Sequence, residues 1–281
     1  YAKGKGLSED VLLEVGLITK HSTKGNLYDT YRGRVMIPIR NKQKRIIGFT
    51  ARLVPEINGT ASNQPKYINS PASLVFEKGS TLFGIDMAMR EAAKANEMNL
   101  VEGAPDVMRL QIVGVANTVA PLGSSWSDKQ LEVVKHSTTN INIIPDSDEV
   151  KNGNAFGAGF QSAIRTGKLA IALGFNVTIQ EIPSTKGKSD PDSFISSKEV
   201  LDSLQKTDFV LWYAEKLFTA ANGNVVKRTK AIHDVIDVVK SARDKILAET
   251  YVESLSEIYG HHEMWQSELL GKCPQVLVPS E

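Results

Sequence analysis

Hydrophobic and polar positions alternate over residues 34–40 (RVMIPIR), where Val35, Ile37 and Ile39 recur at every second place. A strand with one buried face requires that spacing. A second β-branched run at 45–54 (RIIGFTARLV) follows the polar link Asn41-Lys42-Gln43-Lys44, and the pair predicts a β-hairpin. Pro38 has no backbone N–H to donate, so its strand belongs at a sheet edge or a bulge. Residues 55–65 are polar and rich in Gly and Asn, a loop. Residues 81–95 carry helical spacing.

The pattern then alternates between the two periods. Strands are predicted at 99–101, 117–120, 141–144 and 176–182. Helices are predicted at 105–113, from a Ser127 N-cap onward, and at 155–173 with Gly174 as terminator. Four strands separated by helices imply βαβ crossovers and a mainly parallel sheet. From residue 196 the spacing is helical throughout. A helix around 201–221 ends at Asn222-Gly223, and Ile232, Val235, Ile236, Val239, Ala242 and Ile246 share the face of another. Trp212, Tyr213, Leu217 and Phe218 read as helical core. The expected class is α/β in three parts. Residues 1–95 form a mixed α+β subdomain, 96–195 a mainly parallel sheet flanked by helices, and 196–281 a helical subdomain.

Charge changes this picture more than composition does. The 281 residues are 41% hydrophobic and 23% charged, with 33 Lys+Arg against 32 Asp+Glu, values ordinary for a globular chain. Residues 1–95, however, hold 15 Lys+Arg against 8 Asp+Glu, a net of +7, while 96–195 and 196–281 each come to −3. A basic segment beside acidic ones fits a polyanion-binding face, with surface fluctuation as the bland alternative. The one cysteine, Cys273, excludes an intramolecular disulfide and a multi-cysteine zinc site. No run of about 18 apolar residues exists, so no membrane span is expected. The chain opens on Tyr1 without a signal peptide and reads as an internal piece of a longer cytoplasmic protein.

Candidate chemistry gathers at the strand ends, where open α/β sheets bind ligands. The first strand runs into Glu102-Gly103, with Asp106 four residues after Glu102. The third ends in Pro145-Asp146-Ser147-Asp148. The fourth is followed by Ser189-Asp190-Pro191-Asp192. Six carboxylates from three segments repel one another unless cations intervene. All-oxygen ligands suit Mg²⁺ or Mn²⁺. Each fragment also has a bland reading. Asp146 and Asp148 could cap a helix, and Asp190-Pro191-Asp192 could form a turn and cap before Phe194. His261-His262 reads as solvated surface, and Gly153-x-x-x-Gly157-x-Gly159 lacks the dinucleotide-binding order.

Glu102-Gly103-x-x-Asp106 followed by Asp146-x-Asp148 on alternating β and α resembles the TOPRIM fold of primases, topoisomerases and related nucleases. The flanking strings YAKGKGLS (1–8), YRGRVMIPIRNKQKRIIGFTARLV (31–54), PKYINSP (65–71), FEKGSTLFG (76–84), APLGSS (120–125) and SDPDSFI (189–195) resemble the catalytic core of bacterial DnaG-type primases. The resemblance covers about residues 1–195. It implies template-directed synthesis of RNA primers from NTPs on single-stranded DNA. Glu102, Asp146 and Asp148 would be catalytic. Together with Asp106, Asp190 and Asp192 they would hold Mg²⁺ or Mn²⁺. Lys5, Arg52, Lys66, Tyr67, Asn69 and Lys78 would line the groove for nucleotide and DNA. A replicative helicase would be met through a module outside this chain. Three departures stand out: an apparent insertion at 149–154, Ala104-Pro105 in place of a bulky pair, and Lys5 where the family has Arg. The alternatives are TOPRIM nuclease or topoisomerase-like chemistry, or an inactive single-stranded nucleic-acid-binding module.

Overall fold

The computed structural model describes residues 2–21, 25–58, 64–123, 125–148, 156–184, 189–242 and 244–270. The insertion at 149–154 and Cys273 lie outside them. Ser8 starts the first helix, α1 (Glu9–Glu14), by accepting a hydrogen bond from Val11 N. A small antiparallel pair follows, β1 (Ile18–Lys20) and β2 (Leu27–Asp29). The expected hairpin forms as β3 (Arg34–Arg40) and β4 (Ile46–Leu53). After the short α2 (Pro55–Asn58), β5 (Tyr67–Asn69) pairs with β4, giving the sheet order β3-β4-β5. Pro38 therefore sits on an edge strand, and the register shifts at Ile39/Arg40. The alternation on β3 is only partly a burial pattern. Ile39 is fully buried but Val35 is 57% exposed, because only the far end of this edge strand packs with Phe76 in a core.

The second sheet has six strands in the order β11-β10-β9-β7-β8-β6. Its elements, in chain order, are β6 (Leu82–Phe83), α3 (Ile85–Ala95), β7 (Met98–Leu100), α4 (Ala104–Ile112), β8 (Thr118–Pro121), α5 (Asp128–Lys135), β9 (Asn140–Ile143), α6 (Ala158–Ala172), β10 (Asn176–Gln180), α7 (Pro191–Phe194), α8 (Lys198–Ser203) and β11 (Lys206–Asp208). Strands β7 to β10 are parallel, and β6 and β11 are antiparallel edges. Ser127 and Gln130 form a reciprocal capping box at the start of α5.

Two elements differ from the pattern expected. The helical pattern at 81–95 begins with a strand pair, so its helix starts only at Ile85. The helix expected around 201–221 is split by β11, and Asp208 caps the restart by accepting from Val210 N (2.8 Å) and Leu211 N (3.1 Å). Strands of two or three residues leave no periodicity to read. Both edge strands come from outside 96–195.

The C-terminal helices are α9 (Phe209–Ala221), α10 (Val225–Ser241), α11 (Lys245–Tyr259) and α12 (His262–Leu270). They bury Trp212, Val235, Val239 and Trp265 in one cluster with Leu100, Ile141, Ile143 and Ile179 of the sheet. Trp212 and Tyr213 are buried as expected, and His261 and His262 are exposed. A second cluster on Val101, Val107, Ile144 and Ile182 takes in Ile39 and Phe76 of the first part of the chain. The packing thus joins the basic sheet to the strand ends where the carboxylates lie.

Candidate active site

The parallel register brings the first two acidic segments together. Leu100 pairs with Ile143, and Ile144 N donates to Leu100 O at 2.9 Å. Glu102 and Asp146 thus leave neighbouring strands at the same rim, and Glu102 lines a small cavity with Ile144 and Pro145. Glu102 Oε1 and Asp146 Oδ1 are both buried. The third segment is tied on by Ser147 and Ser189. Ser147 N donates to Ser189 O (2.8 Å) and Ser189 N to Ser147 O (3.0 Å). Asp146, Asp148 and Asp190 flank that bridge.

Asp106 stands behind the rim. Val101 leads out of β7, Gly103 adopts the extended cap conformation, and Asp106 falls at the third position of α4. Its Oδ2 accepts from Gly103 N (3.0 Å) and its Oδ1 from Asp192 N (3.1 Å). Burial, then the charge of Asp146 and more weakly that of Asp190, push its carboxyl up to about 7, against the pull of those two backbone hydrogen bonds. Arg109, one turn along α4, donates from Nε to Asp192 O (3.0 Å) and to Asp192 Oδ1 (3.3 Å).

Two glycines make the rim possible. A Cβ on Gly159 would lie 2.1 Å from Asp146 O, and one on Gly157 2.4 Å from Asp148 O. No side chain fits there. Gly159 N also donates to Asp148 Oδ2 at 3.1 Å. The start of α6 is therefore pressed against the Asp146–Asp148 backbone. The Gly-x-Gly spacing serves this contact and not a dinucleotide.

The expected basic residues fall into three groups. Arg52 and Tyr67 are paired across β4 and β5. The Arg52 guanidinium and the Lys66 ammonium each lie 5.9 Å from the centre of the Tyr67 ring. Burial raises the Tyr67 hydroxyl, the charge of Arg52 lowers it, and those of Asp192 and Asp106 raise it further, so Tyr67 stands within electrostatic reach of these two carboxylates. Asn69 Nδ2 donates to Leu122 O at 2.8 Å, fastening β5 to the end of β8. Lys5 and Lys78 are exposed, and Lys78 contributes a backbone carbonyl to Gln130 Nε2.

The six carboxylates do not share one coordination shell. Among the described residues, no three Asp, Glu, His or Cys side chains form a group that could hold a metal ion by themselves. Asp106 is occupied by two backbone N–H groups, Asp192 by Arg109, and Asp190 Oδ1 by capping Ser193 N (2.8 Å). Glu102, Asp146 and Asp148 stand at the ends of β7 and β9, where Asp146 is buried and Asp148 Oδ2 accepts from Gly159 N. Hard oxygen donors at this crowded acidic rim fit Mg²⁺ or Mn²⁺, which take one or two carboxylates and complete their shell with water and substrate phosphate. Arg109 and the Ser147–Ser189 bridge are not expected from the sequence, and Gly157 and Gly159 stand out there only as a spacing without dinucleotide-binding order. Of the first two, only Arg109 leaves a signal, its spacing from Asp106.

Residues 1–89 match the family described as DNA primase catalytic core, N-terminal domain, and residues 99–195 match the Toprim-like family. The chain belongs to the DnaG-type primases. A DNA primase of Staphylococcus aureus (strain COL) is 28% identical over 258 residues, covering 91% of this chain and 37% of that relative. The chain thus spans well under half of the curated DnaG-type relative. A crystal structure of a DNA primase domain from Pseudomonas aeruginosa superimposes with a TM-score of 0.75 at 25% identity, covering 93% of this chain and 79% of that one. The zinc-binding and RNA polymerase domains of the Aquifex aeolicus primase match with a TM-score of 0.73 at 28% identity, covering 97% and 62%. The mixed α/β fold with a mainly parallel central sheet is that of DnaG catalytic cores.

Proposed function

We propose that this chain is the catalytic core of a primase, which synthesises short RNA primers from NTPs on a single-stranded DNA template. The observation that supports the reading is the cationic and aromatic trio Arg52, Lys66 and Tyr67, whose Tyr67 feels the charges of Asp192 and Asp106. A cationic, aromatic surface beside a carboxylate rim suits a polyanion whose phosphates cross from one to the other.

Of Glu102, Asp146 and Asp148, one or two at a time would hold Mg²⁺ or Mn²⁺, with water and substrate phosphate completing the shell. When bound, such a cation neutralises triphosphate charge and the charge that develops during in-line displacement. Lys66 and Arg52 counter backbone phosphates, and Tyr67 offers a face on which a base stacks. Gly159 and Gly157 keep the Asp146–Asp148 backbone against α6, so the carboxylates meet substrate already oriented. Asn69 holds the basic sheet to the end of β8. The DNA template, NTPs and RNA primer are the partners within this core, and the replicative helicase belongs to a module outside this chain. Among the described residues no helix is long and apolar enough to cross a membrane.

The test is incubation with single-stranded template, NTPs and Mn²⁺. Primers are expected from the wild type and none from Asp146→Ala or Asp148→Ala, with single-stranded DNA binding retained in both variants. Shortened DNA in place of primers would make the chain a nuclease. Undiminished primer synthesis in the variants would remove the metal role.

A further inference from the structure

Arg109 is absent from the charged residues that the family resemblance brings to the site, yet the geometry gives it a place there. It lies three residues after Asp106 on the same helix, so both side chains emerge from one face of α4. Its Nε reaches the backbone carbonyl and the carboxylate of Asp192, at 3.0 and 3.3 Å. Asp192 in turn donates its backbone N–H to Asp106 Oδ1 at 3.1 Å. Asp106 closes the chain on Gly103, next to Glu102, at 3.0 Å. A continuous path of four hydrogen bonds therefore runs from Arg109 through the third acidic segment to the first.

The path crosses a place that electrostatics would open. Asp106 feels the charges of Asp146 and Asp190, and Asp192 is covalently next but one to Asp190. Like charges so placed push the loop carrying Asp190 and Asp192 away from α4. Asp190 caps and Asp192 lies within the helix Pro191–Phe194, which is four residues long and too short to be stable by itself. Burial of Pro191 and Ile195 docks it on the core beside Val107 of α4, and Arg109 adds the polar tie that fixes its first turn. A guanidinium suits the task because its planar donors can engage a carbonyl and a carboxylate of one residue together.

We propose that Arg109 is a positioning residue that assembles the acidic rim before any divalent cation arrives, by clamping Asp192 so that its N–H stays on Asp106. The clamp keeps the Asp190–Asp192 loop docked with Glu102 and Asp146 in a protein free of metal. The rim then binds a cation without first having to order that loop. Arg109 touches neither substrate nor metal in this role. The inference rests on the metal-dependent primase reading only for the use to which the rim is put.

The experiment uses Arg109→Met, which keeps the apolar stem of the side chain and removes its donors. In the cation-free protein, amide hydrogen exchange at Asp192 and Ser193 is expected to speed up at least tenfold, with unchanged exchange in the β7 and β9 amides. Titration with Mn²⁺ alone, followed by calorimetry, is expected to give at least threefold weaker binding. Unchanged exchange at Asp192 would overturn the proposal. So would equal or tighter Mn²⁺ binding, which would make Arg109 a competitor of the cation. Wild-type protein that made no primers while both effects held would sink the primase reading and leave the clamp intact. Primer synthesis by the wild type together with unaltered exchange in the variant would do the reverse.

Discussion

Asn142 Nδ2 donates to Asn99 Oδ1 at 2.9 Å across the two central parallel strands, where both side chains are buried. The same Nδ2 donates to Gln180 Oε1 at 2.9 Å, and Gln180 Nε2 continues to Leu201 O (2.7 Å) and Leu204 O (2.9 Å). Thr178 Oγ1 donates to Asn142 Oδ1 at 3.1 Å. A polar ladder thus crosses β7, β9 and β10 and ends on α8. It fixes the register in which Glu102 and Asp146 leave the sheet, since a slipped strand would leave buried amides without partners.

Replacing Asn142 with Leu strips the middle of that ladder and strands Asn99 Oδ1 and Gln180 Oε1. Each orphaned buried group costs about 1–3 kcal/mol, so Asn142→Leu is expected to lose about 3 kcal/mol in urea unfolding with an unchanged m-value. A loss below about 1 kcal/mol would mean that the backbone ladder alone holds the register.

Gly159→Ala pushes a methyl group into Asp146 O, 2.1 Å away. The backbone behind Asp146 must move, so primer synthesis is expected to fall at least tenfold while single-stranded DNA binding is kept. Gly167→Ala is the control. Its Cβ would meet the Phe209 ring at 2.1 Å, in the core with the C-terminal helices, so it should lower the melting temperature through packing. Wild-type activity in Gly159→Ala would show that the contact does not orient the rim.

Asp106 sets a pH dependence whose sign follows from its surroundings. Its ordinary carboxyl value of 3.8 rises to about 7 in the fold, through burial first and the charge of Asp146 second. The folded state therefore holds this proton more tightly than the unfolded state does. The resulting stabilisation is fully present below about pH 4 and is lost as pH rises through about 7. In cation-free buffer the melting-temperature difference between wild type and Asp106→Asn should shift against the wild type between pH 5 and pH 8. A difference that stayed constant over that range would rule out the raised value.

The basic trio separates two kinds of nucleic-acid contact. Tyr67→Ala should weaken single-stranded DNA binding by about 1–3 kcal/mol at all salt concentrations, as the loss of one stacked base does. Lys66→Ala should instead reduce the slope of log affinity against log salt by about 0.7, the value for one phosphate contact on a single strand. Equal salt slopes in Lys66→Ala and wild type would take Lys66 off the phosphate path.

What the sequence determined by itself is local. The hairpin around Asn41–Lys44, the strands after residue 96, the Ser127 cap and the stop at Gly174 follow from spacing within a few residues. The string Glu102-Gly103-x-x-Asp106 with Asp146-x-Asp148 was enough to suggest a family, because motif chemistry is carried by neighbours in the chain. Tertiary structure alone decided which partners hold Asp106 and Asp192. Arg109 and Asp192 lie 83 positions apart, and only the docking of α7 against α4 turns Asp192 from a candidate ligand into an anchored one. The two short edge strands and the close approach of Gly159 to Asp146 have the same origin. They depend on packing between distant segments, and no periodicity along the chain records that.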